Sequence, residues 1–246
     1  MSDQLKYSII IPTLNEEALL PKLLNQLNDK ELKSNYDYEI IISDGGSKDK
    51  TLEISRKLAD KIIPNQEQGS QNIATGRNIG AKSASGEILI FLNGDVVLSD
   101  AFYFFDYLEK RFINSKYLAF TCDVWIYPEE EKLSDKIYHT LYNNYFWVLN
   151  YAGVGMGRGE CQVIRKNVFV DLGGYNEKCA AGEDFELFKR IRKKGKILFS
   201  KKVFVSESPR RFRRFGYAKV TFSWIMNSFS VIFKKRSMHK EWEQVR

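Results

Sequence analysis

Three short apolar runs in the first half of the chain are spaced as strands of one sheet. They are residues 7–12 (YSIIIP), 38–43 (YEIIIS) and 88–93 (ILIFLN). Continuous apolar runs of this length are typical of parallel strands that are buried on both faces. Between the first two runs, leucines recur at helical spacing from Leu19 to Leu27. This order predicts an α/β fold with a mostly parallel, Rossmann-like central sheet flanked by helices.

Weaker patterns fill in the rest of the chain. In the first half they predict a helix at 49–59, a strand at Lys61–Pro64 and a polar helix at 70–85. In the second half they predict a strand at 118–126, an aromatic-rich helix at 134–149, a glycine-rich loop at 151–160, a helix over Glu183–Lys194 and a last strand at 197–205. No repeat or linker is visible in the sequence, so we expect one continuous domain.

Composition and charge restrict the class of protein without choosing its partner. The 246 residues are 43% hydrophobic and 28% charged, which is typical of a globular domain rather than a disordered chain. The net charge of +7 suits an acidic partner, such as a nucleoside diphosphate, a phospholipid surface or a nucleic acid.

The cysteines and the apolar segments predict a location. Cys122, Cys161 and Cys179 are widely spaced and odd in number, which argues against a disulfide framework and favours a reducing compartment. No stretch reaches the roughly 20 apolar residues that span a bilayer, and the polar first four residues do not resemble a signal peptide. We therefore expect a protein of the cytoplasm, or one at the inner face of the membrane.

Polar residues follow the first two predicted strands, where an open α/β sheet binds its ligands. Pro12 ends the first strand, with Thr13 and Glu16 after it, and Asp44 and Gly45 follow the second. A carboxylate at such a tip can accept hydrogen bonds from a base or a ribose, and a glycine lets the backbone approach a ligand closely. A turn or capping role for Asp44 fits the same pattern equally well.

The third strand ends in Asn93, Gly94 and Asp95. A carboxylate at the tip of an apolar strand can hold Mg²⁺ or Mn²⁺, since these ions prefer oxygen ligands. They often take only one or two carboxylates together with substrate phosphates. Asn-Gly-Asp is also good turn chemistry, so a plain strand-end turn is the alternative.

Four motifs in this order resemble glycosyltransferase family 2. They are SIIIPTLNEE at 8–17, EIIISDGGSKDKT at 39–51, GRNIGAKSASGEILIFLNGD at 76–95 and GGYNEKCAAGEDFELFKRIRKKG at 173–195. The resemblance covers roughly residues 8–205 and implies a single GT-A-type domain that uses a nucleotide-sugar donor and inverts the anomeric configuration. It divides the chain into a catalytic domain at 1–209, with a nucleotide-binding half at 1–97 and an acceptor half at 98–209, and a basic amphipathic segment at 210–246.

The resemblance also implies a role for each matching residue. Pro12, Thr13, Glu16 and Gly45 line the nucleotide pocket, Asp44 contacts the base, and Arg77 approaches the phosphates of a UDP- or GDP-linked sugar. Asp95 matches the second acid of the D-x-D motif and binds the Mn²⁺ or Mg²⁺ that bridges the diphosphate. Asn93 replaces the first acid and can hydrogen-bond the sugar or the ribose. Glu207 stands where relatives often place a metal-binding histidine, with a surface salt bridge as the alternative.

The Glu183–Asp184 pair matches the catalytic acids of the family. Asp184 would take the proton of an acceptor hydroxyl as this group attacks the anomeric carbon, while the cation stabilises the departing diphosphate. The acceptor is expected to be a sugar, a lipid-linked compound or another alcohol. From the residues alone, the pair equally suits a helix start, where acids face the positive end of the helix dipole.

The last segment joins a cationic cluster to an apolar stretch. Arg210, Arg211, Arg213 and Arg214 precede the apolar and aromatic residues of 216–233, and three cations follow at 234–236. This pattern suits a helix that lies in the interface of an anionic membrane. It equally suits a helix packed on its own domain or in a homodimer. The arginines could also contact the diphosphate.

Three other functions fit part of the pattern. A nucleotidyltransferase is expected to carry a basic, glycine-rich loop after the first strand, and residues 12–16 do not form one. A nucleic-acid-binding module would spread its cations over the fold, whereas here they concentrate in one segment, so we expect no nucleic-acid partner. A polyprenyl-phosphate acceptor needs no general base, so the Glu183–Asp184 pair favours a hydroxyl acceptor.

Overall fold

The computed structural model describes residues 6–65, 71–234, 237 and 245, with the backbone alone described for Phe229 and residues 232–234. The predicted helix start at Ser70, the polar first four residues and the basic residues at 235–236 lie outside the described residues. So do the side chains of Phe229, Ile232 and Phe233, which belonged to the predicted amphipathic stretch.

Within these ranges the chain forms eight strands and ten α-helices. The strands are β1 (Tyr7–Thr13), β2 (Tyr38–Asp44), β3 (Lys61–Pro64), β4 (Ile88–Leu92), β5 (Val96–Leu98), β6 (Tyr117–Ile126), β7 (Cys161–Arg165) and β8 (Lys196–Glu207). The helices are α1 (Leu20–Leu27), α2 (Lys30–Asn35), α3 (Thr51–Leu58), α4 (Ile73–Lys82), α5 (Ala101–Leu108), α6 (Leu133–Tyr151), α7 (Lys166–Asp171), α8 (Glu183–Lys194), α9 (Arg210–Phe215) and α10 (Tyr217–Lys234). A π-helical turn, Glu109–Ile113, extends α5.

The described strands form one sheet in the order β3-β2-β1-β4-β7-β6-β8-β5. Strands β3, β2, β1 and β4 are parallel to one another, and β6 is parallel to β8. Strand β7 runs antiparallel to β4 and β6, and β5 runs antiparallel to β8. The predicted α/β architecture with a mostly parallel sheet is confirmed.

Alternate residues of β1 point into two separate cores. Ile9 and Ile11 pack with the leucines of α1, whereas Ile10 packs with Phe91 of β4 and with residues of α4 and α8. All three isoleucines are fully buried. A strand covered on both faces must be apolar at every position, which is why the continuous apolar run identified it. All three cysteines are buried and free.

Strands β1, β2 and β4 end at the same edge of the sheet. The N–H group of Gly45 donates to the carbonyl of Thr13 at 2.7 Å and so joins the loops that follow β1 and β2. Helix α4 packs closely behind them, because a Cβ atom on Gly76 would lie only 3.3 Å from the side chain of Pro12. The first turn of α4 therefore lies beside the strand tips.

Several elements differ from their predicted bounds or were not predicted. Strands β5 and β7 were missed, since runs of three and five residues are too short to show a clear period. The last strand is longer than predicted and ends at Glu207, which lies opposite Val96 of β5. This extension brings Glu207 next to the tip of the central sheet.

The end of the described chain packs on the domain. Phe212 of α9 is buried with Ile126 and Val220, and Trp224 of α10 stacks on Tyr142 of α6 with ring centres 5.4 Å apart. One face of α10 is therefore covered by α6, as one of the alternatives predicted. Among the helices of the described residues, none combines the length and the apolar character needed to cross a bilayer.

Candidate active site

A cleft of about 1020 Å³ opens at the carboxyl edge of the parallel strands. The tips of β1, β2 and β4 and the start of α4 form one wall, and α6, α10 and the starts of α8 and α9 face it. Of the residues predicted from the sequence, the cleft contains Pro12, Thr13, Glu16, Gly45, Arg77, Asn93, Asp95, Glu183, Asp184, Glu207, Arg210 and Arg211. The fold thus brings most of the predicted residues to one place.

Asp44 closes the turn after β2. Its Oδ2 accepts hydrogen bonds from the backbone N–H groups of Gly46 at 3.0 Å and Ser47 at 2.9 Å, and its Oδ1 accepts one from the hydroxyl of Thr13 at 3.1 Å. The side chain is fully buried and does not line the cleft. Asp44 therefore has the turn role that the sequence left open. Its predicted contact with a base stays a prediction.

Two polar side chains that the sequence analysis passed over face the same end of the cleft. Ser43 precedes Asp44, and its buried hydroxyl has no hydrogen-bond partner among the described residues. Gln71 precedes α4, and its buried Oε1 likewise has no such partner there. Both can bond a polar ligand. The signal for Ser43 was its polarity at the end of the predicted strand, directly after three isoleucines.

Arg77 links the strand tips to the start of α8. Its side chain is 0% exposed. Its guanidinium group donates to Oε1 of Glu183 at 2.7 Å, to Oδ1 of Asn93 at 2.9 Å and to the carbonyl of Gly159 at 2.6 Å. With these partners Arg77 holds Glu183 and Asn93 in place. Its Nε has no hydrogen-bond partner among the described residues, and the side chain lines the cleft. The predicted contact with the phosphates therefore stays a prediction.

Asp184 lies in the first turn of α8, directly after Glu183. Its Oδ1 accepts a hydrogen bond from the N–H group of Phe185 at 2.7 Å. A Cβ atom on Gly159 would lie 3.3 Å from Oδ2, so this glycine leaves room beside the carboxylate. Burial, followed by the charge of Glu183, raises the pKa of Asp184 to about 7. A carboxylate with such a pKa is suited to accept a proton near neutral pH.

Asp95 is ion-paired with Arg210 at the side of the cleft. One guanidinium nitrogen of Arg210 lies 2.9 Å from Oδ2 of Asp95 and 2.7 Å from Oε1 of Glu16. The hydroxyl of Tyr127 donates to the backbone carbonyl of Asp95 at 2.6 Å and fixes the strand tip. Arg210 thus points into the cleft, next to the residue predicted to bind the metal, and not toward a membrane-facing surface of the last segment.

Glu207 lies beside Asp95 because β8 pairs with β5. The N–H group of Ser208 donates to the carbonyl of Asp95 at 3.3 Å. Oε1 of Glu207 is buried and has no hydrogen-bond partner in the described part of the chain. Burial, followed by the charge of Glu160, raises the pKa of Glu207 well above its usual range. The charges of Arg158 and Arg211 act in the opposite direction on this pKa but do not outweigh the burial.

A second buried arginine, Arg158, which the sequence analysis missed, lines the cleft from the glycine-rich loop. Arg158 contacts Oε2 of Glu160 at 3.2 Å, donates to Oδ1 of Asn143 at 3.1 Å, and lies 5.1 Å from the ring centres of Tyr142 and Phe146. Burial acts to raise the pKa of Glu160, but the charge of Arg158 lowers it overall. The only sequence signal was a charged pair within the glycine-rich loop.

The remaining arginines of the predicted cluster point in different directions. Arg211 lines the cleft. Arg213 is ion-paired with the buried Asp135 of α6, with Nη1 2.7 Å from Oδ1. Arg214 is exposed and lies over the ring of Phe215 at 5.4 Å. The prediction of a membrane or phosphate contact is corrected for Arg213, because its charge is used to neutralise a buried carboxylate.

The carboxylates of Asp95 and Glu207 fit a divalent cation that arrives with a nucleotide. No cluster of three or more His, Cys, Asp or Glu side chains suited to hold a metal is present among the described residues. Mg²⁺ and Mn²⁺ commonly take one or two carboxylates and complete their shell with substrate phosphates and water. The observation that favours this fit is the buried oxygen of Glu207, which has no hydrogen-bond partner in the described chain.

Comparison with a protein-family profile identifies the first two thirds of the chain. The profile described as glycosyl transferase family 2 matches residues 8–173, which is more than half of the 246 residues. The match contains β2 and β4 and nearly all of β1, whose tips line the cleft, and ends before Glu183, Asp184 and Glu207.

Curated relatives share this region with moderate identity. The poly(ribitol-phosphate) β-N-acetylglucosaminyltransferase TarS of Staphylococcus aureus is 28% identical over 152 residues, which are 56% of this chain and 26% of the relative. The glycosyltransferase AglE of Haloferax volcanii is 36% identical over 94 residues, which are 36% of this chain and 30% of the relative. The matched regions thus span about a quarter to a third of these relatives.

Solved structures share the fold over nearly the whole chain. The mannosyltransferase PcManGT from Pyrobaculum calidifontis, solved with GDP-Man and Mn²⁺, aligns with a TM-score of 0.73 at 16% identity and covers 100% of this chain and 67% of that one. TarS 1–349 of S. aureus, solved with UDP-GlcNAc, aligns with a TM-score of 0.60 at 16% identity and covers 96% and 68%. The predicted GT-A-type fold is thus confirmed. Together with the profile match, it shows that the chain belongs to glycosyltransferase family 2.

Proposed function

We propose that this protein is an inverting glycosyltransferase that moves a sugar from a nucleoside-diphosphate sugar to an acceptor hydroxyl. Membership of the family supports sugar transfer and argues against a nucleotidyltransferase or a non-enzymatic polyanion-binding module. Two structural neighbours were solved with such donors, GDP-Man in PcManGT and UDP-GlcNAc in TarS. The volume of the cleft is ample for a nucleotide-sugar and part of an acceptor.

The observation that carries the proposal is the environment of Asp184. Its carboxylate borders the cleft, and burial raises its pKa to about 7. At neutral pH a large fraction is ionised and can accept the proton of an attacking hydroxyl. A positioned base of this kind accelerates proton transfer by about 10²–10⁴-fold. Attack from the face opposite the departing diphosphate inverts the anomeric carbon in a single displacement.

The ion pair of Arg77 and Glu183 lies next to Asp184 in the fold and helps to position it. The buried ion pair at 2.7 Å fixes Glu183, and the contact of Arg77 with Gly159 fixes the loop that lies against Asp184. The two acids differ in environment, since Glu183 is ion-paired with Arg77, whereas Asp184 has no ion-pair partner in the described part of the chain. This difference leaves Asp184 as the group that can gain and lose a proton.

A Mn²⁺ or Mg²⁺ ion is proposed to bind through Asp95 and Glu207. When bound, such an ion supplies positive charge that stabilises the departing diphosphate. The Mn²⁺ in the PcManGT complex supports this choice. Arg210 already places a cation beside Asp95, and we assign it to the same phosphates.

The acceptor side of the cleft has an aromatic wall. Tyr142 and Phe146 of α6 and Trp224 of α10 line it, together with Leu149. Aromatic walls with a few polar groups are typical of sites for ligands with apolar faces, such as sugar rings or lipid chains. We therefore propose a sugar or a lipid-linked glycan as the compound that carries the acceptor hydroxyl.

The proposal is tested by separating nucleotide binding from turnover. In Asp184→Asn we expect the release of nucleoside diphosphate from a nucleotide-sugar to fall by about 10²–10⁴-fold. The affinity for the nucleoside diphosphate, measured by calorimetry, should stay close to that of the wild type. Glu186→Gln is the matched control on the same helix, because Glu186 pairs with Arg190 and does not line the cleft.

If Asp184→Asn keeps its turnover, the interpretation depends on the acceptor used in the assay. Near-normal turnover of Asp184→Asn with a hydroxyl acceptor contradicts the general-base assignment. Near-normal turnover confined to a polyprenyl-phosphate acceptor favours the alternative reaction, in which the nucleophile is already ionised.

A further inference from the structure

Helix α6 exposes a continuous apolar stripe. The stripe consists of six large side chains, each between 51% and 85% exposed. They are Leu133, Ile137, Leu141, Tyr145, Val148 and Tyr151. The spacings of four, four, four, three and three residues place all six on one side of the helix. Contiguous apolar surface of this kind marks an interaction site more often than a plain solvent face.

The stripe does not replace the buried face of the helix. The opposite side of α6 is covered by the domain, with Asp135, His139, Asn143 and Phe146 all buried. Helix α6 therefore has one face buried against the domain and a second, apolar face that the described residues leave exposed. Helix α10, which packs beside α6, adds Phe222 at 65% exposed and Ile225 at 48% exposed.

The charges around the stripe are mainly positive. Lys136 is exposed on α6 itself, and Lys201 lies 5.2 Å above the ring of Trp147 on the same helix. The one carboxylate of α6, Asp135, is buried and paired with Arg213. Of the cations of α9 and α10, Arg214 and Lys219 are exposed, and neither helix contains an Asp or a Glu. Arg210 and Arg213 are ion-paired with carboxylates and do not count toward this charge. Three exposed acids at 129–131 precede α6, and the first of them is paired with a lysine.

The aromatic residues at the carboxyl end of α6 add a second feature. Trp147 and Tyr151 stack with ring centres 5.8 Å apart, and both are exposed. Tryptophan and tyrosine are enriched where a protein meets the headgroup layer of a membrane, since their rings have an apolar body and a polar edge.

We propose that the stripe of α6, with the exposed residues of α10, docks on the surface of an anionic membrane. An apolar face bordered by lysine and arginine inserts its side chains at the acyl boundary and attracts anionic headgroups. A second copy of this chain is a poorer occupant, because it would bring two positively charged rims together. Docking requires no nucleotide-sugar and is independent of the proposed reaction.

Docking in this way places the open side of the cleft next to the bilayer. Tyr145 belongs to the stripe and also lines the cleft, and Ile225 of α10 does the same. A lipid-linked molecule could therefore pass from the membrane to the aromatic wall without crossing water.

Vesicle flotation of the full chain tests the proposal. With phosphatidylcholine vesicles that contain phosphatidylglycerol, we expect the wild type to float, and to bind at least about tenfold more weakly to phosphatidylcholine alone. The double variant Ile137→Ser, Leu141→Ser should lose at least about tenfold in binding to the anionic vesicles. Val170→Ser is the matched control, because Val170 is 65% exposed on α7, outside the stripe, and its loss should leave binding unchanged.

A second variant protects the test against a folding defect. Lys136→Glu changes an exposed charge next to the stripe and should weaken binding to anionic vesicles without altering thermal unfolding. The proposal is overturned if the wild type does not float with the anionic vesicles, or if it floats equally with both vesicle types. A stable dimer, measured by light scattering, that the stripe variant converts to a monomer also overturns it.

Discussion

Replacing Glu183 with glutamine tests whether the raised pKa of Asp184 governs turnover. The charge of Glu183 is the largest cause of the raised pKa after burial, and Arg77 acts in the opposite direction. In Glu183→Gln the negative charge is lost, and the positive charge of Arg77 stays in place. The lost negative charge no longer repels the ionised carboxylate of Asp184, and the remaining positive charge of Arg77 attracts it. The pKa of Asp184 must therefore fall.

The size of the effect follows from the titration of a single base. With a pKa of about 7, kcat should fall about tenfold for each pH unit below neutrality, since only the ionised base accepts a proton. If the pKa falls by about one unit in Glu183→Gln, the ionised fraction at pH 6 rises about fivefold. The acid limb of the variant should therefore lie at lower pH, whatever its maximal rate.

The assay is the release of nucleoside diphosphate at saturating donor and Mn²⁺, measured from pH 5 to pH 9. Glu186→Gln serves as the control and should keep the profile of the wild type, because Glu186 belongs to a separate ion pair with Arg190. Removing one partner of a buried ion pair costs about 3–5 kcal/mol. Thermal unfolding must therefore confirm that Glu183→Gln is folded at the assay temperature. An acid limb that stays in place, or moves to higher pH, refutes the reasoning.

Three further predictions follow from the contacts of the cleft. Arg210→Met should tighten the binding of Mn²⁺ alone by about tenfold in calorimetry, because Asp95 loses a competing cation at 2.9 Å. Gly159→Ala should reduce kcat at least about tenfold with little change in Tm, because the added Cβ lies 3.3 Å from Oδ2 of Asp184. Asp184→Asn should raise Tm at pH 8 by about 2 °C or more. Ionising a carboxyl whose pKa is raised from 3.8 to about 7 costs stability as pH rises through that window, so the gain should shrink towards pH 4.

The strand tips could be predicted from the sequence because their signals are local. The apolar runs of β1, β2 and β4 need cover on both faces, and this requirement is visible at each position. The polar residues that follow them lie at one edge because parallel strands share a direction. The helix Glu183–Lys194 was predicted with its observed bounds, since acids begin it and Gly195 ends it.

The partners of the charged side chains could not be predicted in the same way. Arg210 and Asp95 are 115 positions apart, and Arg77 and Glu183 are 106 apart. Whether an arginine points into a core, at a carboxylate or at solvent depends on packing that no local period encodes. Asp44 shows the same limit, because a carboxylate that closes a turn and one that binds a base share one sequence pattern.

The exposed stripe of α6 has a related cause. The sequence showed an aromatic-rich helix, and its apolar residues are spread around most of the circumference. This pattern predicted a helix but not which of its sides the domain covers. Only the packing of α6 against β6 and α10 reveals which side remains open.

Thermal unfolding with nucleoside diphosphates tests the central claim most directly. UDP and GDP are compared with and without Mn²⁺, in the wild type and in Asp95→Asn. We predict that one of the two nucleotides raises the Tm of the wild type, that Mn²⁺ enlarges this rise, and that Asp95→Asn abolishes the effect of Mn²⁺. The account is contradicted if neither nucleotide changes the Tm of the wild type. It is also contradicted if Mn²⁺ does not enlarge the rise, or if Mn²⁺ enlarges it equally in the wild type and in Asp95→Asn.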